Sequence, residues 1–506
     1  MPTQANLQGE IIFSENENIQ QNIISLSDEE IRKIRGNKIA MIFQEPMTSL
    51  NPLHKCGAQV MENLMLHKKL SKKDAKAETI TLFTKVELPN PTEIINRYPH
   101  QISGGQKQRV MIAMAMSCKP ALLIADEPTT ALDVRVQKNI LKLLKNLQVE
   151  NNMSILFITH DLQLVANIAD EIAVMYKGEI VEQGNAKTIL ENPQHNYTKA
   201  LLGCLPTPQS KGKPLAVISD FLREQKEKNT TESIAPTISE KIILEVNNLN
   251  VHYPTKRNFL GKVLDNYKAV DNVSFKVYQN EIVGLVGESG CGKTTLGRAI
   301  LNLIKPTSGS IFYEGKNLAK ISKNDLRILR KDLQIVFQDP YGSLNPRLSI
   351  GNAIAEPMQV HNLFATKKQQ KEKTIELLEL VNMPADAFDR YPHQFSGGQR
   401  QRICIARALA LNPNFLIFDE SVSALDVSVQ AQVLNLINEL KATFNFTAIF
   451  ISHNFPVVHY ISDRIMVMKN GKIIESGSSN DIIFSPKEEY TKALLAAVPG
   501  EGFVLL

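Results

Sequence analysis

Short apolar runs bounded by turn residues alternate along the chain with longer stretches whose apolar positions recur every three or four residues. Leu122–Glu127, Ser154–Thr159, Glu281–Val286, Phe415–Glu420 and Thr447–Ser452 are runs of the first kind, and each predicts a buried strand. Lys293–Ile304 and Lys107–Met116 have helical spacing. Strands that alternate with helices predict an α/β fold built on a parallel sheet. Between Gln338 and Ser396, and over Val60–Val86, helical spacing runs without a strand, as in Thr374–Val381. Each of these stretches predicts an all-helical subdomain set into its α/β module.

The pattern occurs twice. Gln44 in Ile-Phe-Gln-Glu-Pro and Gln338 in Val-Phe-Gln-Asp-Pro stand 294 residues apart. Ser103 and Ser396, Glu127 and Glu420, His160 and His453, and Tyr197 and Tyr490 are all 293 apart. So many landmarks in register define a long internal repeat, which outranks local readings. The expected organisation is a first module over 1–205, a linker over 206–240 and a second module over 241–506. The linker assignment follows from its Pro, Ser, Thr, Lys and Glu content and its few large apolar residues.

The halves differ at their front ends. Residues 287–294 read Gly-Glu-Ser-Gly-Cys-Gly-Lys-Thr, a phosphate-binding loop of the G-x-x-x-x-G-K-[ST] type, and the first module has no such run. Gly9-Glu10-Ile11-Ile12 resembles Gly309-Ser310-Ile311-Phe312 at a shift of 300, which carries Lys293 back to position −7. The first module is therefore expected to be incomplete, lacking about 60 residues by comparison with 241–304. A start upstream of Met1 and a damaged module both fit.

Composition narrows the class. Hydrophobic content of 43% with 22% charged residues suits a globular chain with real cores. A net charge of +5, from 57 basic and 52 acidic residues, gives no reason to expect nucleic acid as a partner. The five cysteines (Cys56, Cys118, Cys204, Cys291, Cys404) are scattered, which argues against a disulfide frame or a structural zinc and for a reducing compartment. No apolar run approaches the ~18 residues that span a bilayer, so work at a membrane would need partners.

The loop Gly287, Glu288, Ser289, Gly290, Cys291, Gly292, Lys293, Thr294, with Thr295 after it, has the means to wrap phosphates. Its glycines bring backbone N–H groups close, and the following helix adds a dipole favourable to anions. Lys293 offers a point charge to the β- and γ-phosphates, and the Thr294 hydroxyl is a ligand for Mg²⁺. Asp419 ends a buried strand, where it can hold Mg²⁺, and Glu420 next to it is the candidate base for an attacking water. Gln338 lies in a loop between strand and helical subdomain, placed to touch Mg²⁺ and report nucleotide state. His453 follows its strand directly and is placed to contact the γ-phosphate. Ser103-Gly104-Gly105-Gln106 opens a helix, and a hydroxyl with bare backbone at a helix N-terminus makes an anion site. Tyr253 reads either as an aromatic for adenine stacking or as a plain strand residue. Cys291 is a tolerated loop position beside a helix N-terminus, a setting that lowers a thiol pKa and favours alkylation.

Together these motifs resemble the ATP-binding cassette (ABC) ATPases, and the resemblance spans essentially the whole chain. It is similar within that family to the tandem ATPase subunits of bacterial dipeptide and oligopeptide importers, of the kind serving glutathione or microcin C. The marks are the run from Phe43 to Pro52, its match Phe337–Pro346, and the tails Tyr197-Thr198-Lys199-Ala200-Leu201-Leu202 and Tyr490–Leu495. The resemblance implies two P-loop NTPase modules, each with a helical subdomain, binding ATP and Mg²⁺. It implies one nucleotide between Lys293, Thr294, Gln338, Asp419, Glu420 and His453 and the Ser103–Gln106 signature. It implies two membrane permeases, an extracytoplasmic peptide-binding protein and a peripheral place on the cytoplasmic face of the inner membrane. Ser421 replaces the usual proline after the catalytic glutamate, and Asn454 the usual aspartate after the histidine. Only Cys204 stands where some relatives carry a cysteine cluster, so no iron–sulfur centre is expected. A tandem ABC protein acting on ribosomes and a decayed, non-functional fragment are the alternatives; importer-type tails and a short, Pro/Thr-rich linker weigh against the ribosomal one.

Overall fold

The computed structural model describes residues 8–16, 19–44, 49–129, 133–166, 168–222, 238–257, 263–423 and 425–498. Residues 45–48 of the first glutamine loop and 223–237 of the expected linker lie outside this set. Contacts divide the chain into two compact units: Met1–Leu132 with Val136–His160, and Asp133–Arg135 with Asp161–Leu506.

The first unit opens with an antiparallel hairpin, β1 (Ile12–Asn16) and β2 (Ile19–Asn22), and a short helix, α1 (Asp28–Ile34). Ser27 caps α1 and Glu30 returns the favour to the Ser27 N–H, so two orphan amides are satisfied together. Strands β3 (Ile39–Ile42), β4 (Leu122–Asp126) and β5 (Ser154–Ile158) form a parallel sheet in that order. The expected helical subdomain is α2 (Cys56–Lys68) and α3 (Lys72–Lys85), packed with α4 (Gly104–Met116), and Val60, Leu64, Phe83 and Val110 are fully buried among them. Helix α5 (Val134–Asn151) adds Ile140, Leu143, Leu144 and Leu147 to the same core at helical spacing.

The second unit begins with the hairpin β6 (Glu171–Tyr176) and β7 (Glu179–Asn185), followed by α6 (Ala186–Glu191) and α7 (Asn196–Gly203). Part of the expected linker is fastened to the second module. The Asn435 side chain brackets Leu215, accepting from its N–H at 2.9 Å and donating to its carbonyl at 2.8 Å. The Tyr460 hydroxyl donates to Lys213 O at 3.1 Å.

The long strands β8 (Ile242–Arg257) and β9 (Val263–Tyr278) then lead into β10 (Ile282–Val286) and α8 (Lys293–Ile300). Helix α8 is shorter than the Lys293–Ile304 of the apolar pattern. It stops because the Leu301 N–H closes onto Gly297 O and Ala299 O and Asn302 takes a left-handed φ of 50°. Next come β11 (Ser308–Tyr313), β12 (Lys316–Asn317), β13 (Leu333–Val336), the helical insert with α9 (Ile350–Val360) and α10 (Lys367–Leu380), then α11 (Gly397–Leu409) and β14 (Phe415–Asp419). The chain continues through α12 (Val427–Phe444), β15 (Thr447–Ile451), α13 (Phe455–Ile461), β16 (Arg464–Lys469), β17 (Lys472–Ser478), α14 (Ser479–Phe484) and α15 (Glu489–Leu495).

The main sheet runs β13-β14-β15-β10-β16-β17, parallel except for β17 at its edge. Strand β10 is central and buried along its whole length, which is why Ile-Val-Gly-Leu-Val has no polar alternation. A second, antiparallel sheet runs β12-β11-β8-β9.

The repeat allows a direct comparison of sheet faces. Ile449 and Ile451 on β15 are 1% and 0% exposed, whereas their counterparts Leu156 and Ile158 on β5 are 52% and 44% exposed. In the second unit α8 covers that face, with Gly297 so close that a Cβ there would lie 3.0 Å from Ile451. Among the described residues no helix is long and apolar enough to cross a membrane.

Candidate functional site

Strand β10 delivers the chain into the glycine loop, and the loop's shape depends on positions without side chains. Gly287 has φ 154° and Gly292 φ 111°; a Cβ would lie 2.3 Å from Met468 O at the first and 2.0 Å from Ala269 O at the second. The loop therefore packs closely against both sheets, at Met468 on β16 and at Ala269 on β9. Lys293, the first residue of α8, is buried. Its ammonium is drawn back into the loop, donating to Gly287 O at 2.8 Å and Glu288 O at 3.0 Å.

Asp419 and Glu420 reach this loop from the C-terminal end of β14. Glu420 has a left-handed φ of 47°, and Glu127, its counterpart, one of 43°. A non-glycine residue held there at both repeat positions is strained, and such strain gathers at functional sites. The conformation turns each glutamate N–H onto the next strand, Glu420 to Ile451 O and Glu127 to Ile158 O, each at 2.9 Å. The side chain is then free to turn toward the loop.

Four side chains surround the Asp419–Glu420 pair. The Thr294 hydroxyl donates to Asp419 Oδ1 at 2.9 Å. Gln338 Nε2 donates to Glu420 Oε2 at 3.0 Å, Lys293 Nζ stands 3.7 Å from Glu420 Oε1, and His453 Nδ1 3.6 Å from Glu420 Oε2. Burial pushes the Asp419 carboxyl above its ordinary value, and Glu420 beside it adds to the rise. Burial also works to raise Glu420, but His453 and Lys293 outweigh it and hold the carboxyl below the usual glutamate value. At neutral pH Glu420 is thus a carboxylate fit to accept a proton.

The residues predicted from the two motifs and from the glutamine and histidine positions therefore converge on one locus. The first unit repeats part of it: Gln44 Nε2 donates to Glu127 Oε2 at 2.9 Å, and His160 Nδ1 lies 2.8 Å from Glu127 Oε1. Ser103 caps α4, its hydroxyl accepting from the Gln106 N–H at 3.3 Å while Gln106 Oε1 accepts from the Ser103 N–H at 3.0 Å. Ser396 and Gln399 make the same box at the head of α11.

One position differs from expectation. The Cys291 thiol is not lowered by its helix N-terminus; it is buried, and burial pushes its pKa up despite the nearby Lys293 charge. Tyr253 is exposed on β8, paired in register with Tyr267 on β9. Tyr267 was not singled out from the sequence, yet its hydroxyl donates to Gly290 O at 2.7 Å. Only the β8–β9 register, which local spacing does not reveal, brings it to the loop.

The donor set fits a nucleotide with a hard cation. The loop offers backbone amides and an ammonium to phosphates, while Thr294 and Asp419 offer adjacent oxygens of the kind Mg²⁺ takes. A buried carboxylate with a raised pKa is also one that a cation would stabilise.

Comparisons with known proteins bear on the family. The profile described as ABC transporter matches residues 3–130 and 270–423, and that described as oligopeptide/dipeptide transporter, C-terminal region, matches 181–230. A glutathione import ATP-binding protein, GsiA, of Pectobacterium atrosepticum is 45% identical over 497 residues, covering 97% of this chain and 79% of that protein. Its namesake in Escherichia coli K12 is 47% identical over 486 residues, covering 94% and 77%. Among solved structures, MJ0796, a bacterial ABC transporter cassette, aligns with a TM-score of 0.43 and 26% identity over 47% of this chain and 98% of its own.

Proposed function

The chain belongs to the ABC transporter family as an ATP-hydrolysing subunit, and from that premise we propose that it powers import of glutathione or a related short peptide through separate membrane permeases. The observation that carries the site assignment is the convergence of Lys293, Gln338 and His453 on Glu420, beside the Thr294–Asp419 pair. The peptide class rests on the two GsiA relatives and on the match to the peptide-transporter C-terminal region. The ribosome-acting alternative finds no support among these relatives.

Residues 287–295 hold the phosphates of ATP, and Tyr253 and Tyr267 stand where they can flank its base. Thr294 and Asp419 hold Mg²⁺ with Gln338 nearby; the ion offsets phosphate charge when bound. Glu420 orients a water and takes its proton, and His453 steadies Glu420. From the family resemblance we also assign the Ser103–Gln106 signature, with its hydroxyl and helix N-terminus, to nucleotide binding. Replacing Ser103 by Arg should then abolish hydrolysis while leaving ATP bound at Lys293; full hydrolysis by that variant would remove Ser103 from the site.

The helical inserts over 338–396 and 44–103 are the docking surfaces for the permeases. Each glutamine loop links the γ-phosphate to its insert, so closure around ATP can move the docking surface. The protein sits on the cytoplasmic face of the inner membrane through these contacts, and a peptide-binding protein delivers substrate from the other side. Co-expression with the cognate permeases should retain the chain on membranes through moderate salt, since salt weakens exposed charge pairs and spares buried apolar contact. Equal retention on pure liposomes without permeases would contradict docking through partners.

A further inference from the structure

The tail Tyr490-Thr491-Lys492-Ala493-Leu494-Leu495 has so far served only as a mark of the family. In the fold it forms α15, and its first aromatic lies against the phosphate-binding loop. Tyr490 is 8% exposed. The Glu288 N–H donates to its hydroxyl at 3.4 Å, and Lys469 Nζ stands 4.5 Å from the centre of its ring. Lys469 ends β16, and the turn beyond it also touches the loop: the Gly471 N–H donates to Cys291 O at 2.9 Å. Met468 O closes the same side against Gly287. The outer side of the loop is therefore held at residues 287, 288 and 291 by one hairpin turn and one tail side chain.

Glu288 links this bracket to the chemistry. Its N–H faces Tyr490, while the carbonyl of the same peptide unit, Gly287 O, receives the Lys293 ammonium at 2.8 Å. A peptide unit fixed at its N–H end presents its carbonyl, and with it the lysine, in a set position. Directing this amide outward also leaves those nearer the head of α8 for an anion. The first-half counterpart has another setting: Tyr197 packs on Tyr176, ring centres 4.2 Å apart, and Tyr176 occupies the repeat position of Lys469. In the first half a lysine, Lys177, lies over Tyr176 instead, 5.1 Å from its ring centre, so among the described residues the lysine over the tail tyrosine is found in the half that carries the glycine loop.

We propose that Tyr490 is a positioning residue for the phosphate-binding loop, its hydroxyl holding the Glu288 amide so that the importer-type tail sets the loop and Lys293 for nucleotide. The inference rests on the assignment of Lys293 and Thr294 to ATP.

Tyr490→Phe tests it, because the ring, its packing and the Lys469 contact are kept and only the hydroxyl is lost. In the full chain, titration with a fluorescent ATP analogue and Mg²⁺ should show affinity weakened by about two- to tenfold, the range for one lost hydrogen bond. The rate at saturating ATP should stay within about twofold, and the nucleotide-free melting midpoint should not move. Tyr197→Phe should leave all three unchanged. Nucleotide affinity in Tyr490→Phe equal to wild type would overturn the proposal, as would a loss that appears together with a lowered melting midpoint and lowered saturated rate. A wild-type chain that binds no nucleotide would instead overturn the ATP assignment on which it rests.

Discussion

Glu420→Gln is the sharpest perturbation of the chemistry, because glutamine keeps the shape of the side chain and removes its ability to take a proton. The wild-type carboxylate accepts from Gln338 Nε2 at 3.0 Å and has Lys293 Nζ at 3.7 Å and His453 Nδ1 at 3.6 Å. All three neighbours favour the ionised form, and two of them hold its pKa below the ordinary value against burial. A positioned base contributes about 10²–10⁴ in rate, which corresponds to about 3–5 kcal/mol of barrier. Hydrolysis by the reconstituted transporter, followed as phosphate release under saturating Mg-ATP, should fall by that factor. Binding should change little, because the phosphate-facing groups of 287–294 are untouched. Sign matters for pH as well. A lowered folded pKa means that Glu420 contributes stability above the ordinary carboxylate pKa of 4.5 and loses it as pH falls through its folded value. Between pH 6 and 8 its protonation therefore leaves the rate unchanged. Hydrolysis by the variant above about a tenth of wild type, against the factor expected of a base, would refute its role.

Other consequences follow from single positions. The Asp419 pKa is raised by burial, so its ionised form opposes folding at neutral pH; that contribution favours the fold below 3.8 and is lost as pH rises through the folded value. Asp419→Asn should accordingly melt no lower than wild type without nucleotide while losing Mg-dependent hydrolysis, and a clear drop in the nucleotide-free midpoint by scanning fluorimetry would contradict this. Gly284 lies mid-way along central strand β10, where a Cβ would meet Val458 Cγ1 at 2.2 Å. Gly284→Ala should cost about 1–3 kcal/mol in urea unfolding, the range for overpacking a tight core, and an unchanged transition midpoint would show the site able to relax. Gly292→Ala meets both a left-handed φ of 111° and a carbonyl 2.0 Å away, so it should abolish ATP binding; retained affinity in a filter assay would contradict the loop geometry.

Much of the site was legible because its parts are contiguous and occur in register. Lys293 and Thr294 belong to one loop, Asp419 and Glu420 end one strand, and Gln338 and His453 are found by their repeat partners Gln44 and His160. The side chains that frame the loop from outside were not legible. Tyr267 and Tyr490 reach Gly290 and Glu288 only through strand register and tail packing, across separations of up to 202 residues, Lys469 meets the Tyr490 ring, and their local sequence has no mark of that destination. The Cys291 thiol misled for a related reason: a helix N-terminus is visible in sequence, but the burial that outweighs it is not. In the fold, β5 reads as apolar as β15 yet has an exposed face, because apolarity in a strand does not say whether a helix lies over it.

Uptake of radiolabelled glutathione into vesicles that hold the chain with its cognate permeases and binding protein, compared with wild-type and Glu420→Gln subunits, tests the central claim most directly. ATP-dependent accumulation with the wild type and its loss with Glu420→Gln, despite equal retention of both subunits on the vesicles, is the result predicted. Equal accumulation with the two subunits would contradict the assignment of this site as the motor, and no accumulation of glutathione or any short peptide with the wild type would contradict the proposed cargo.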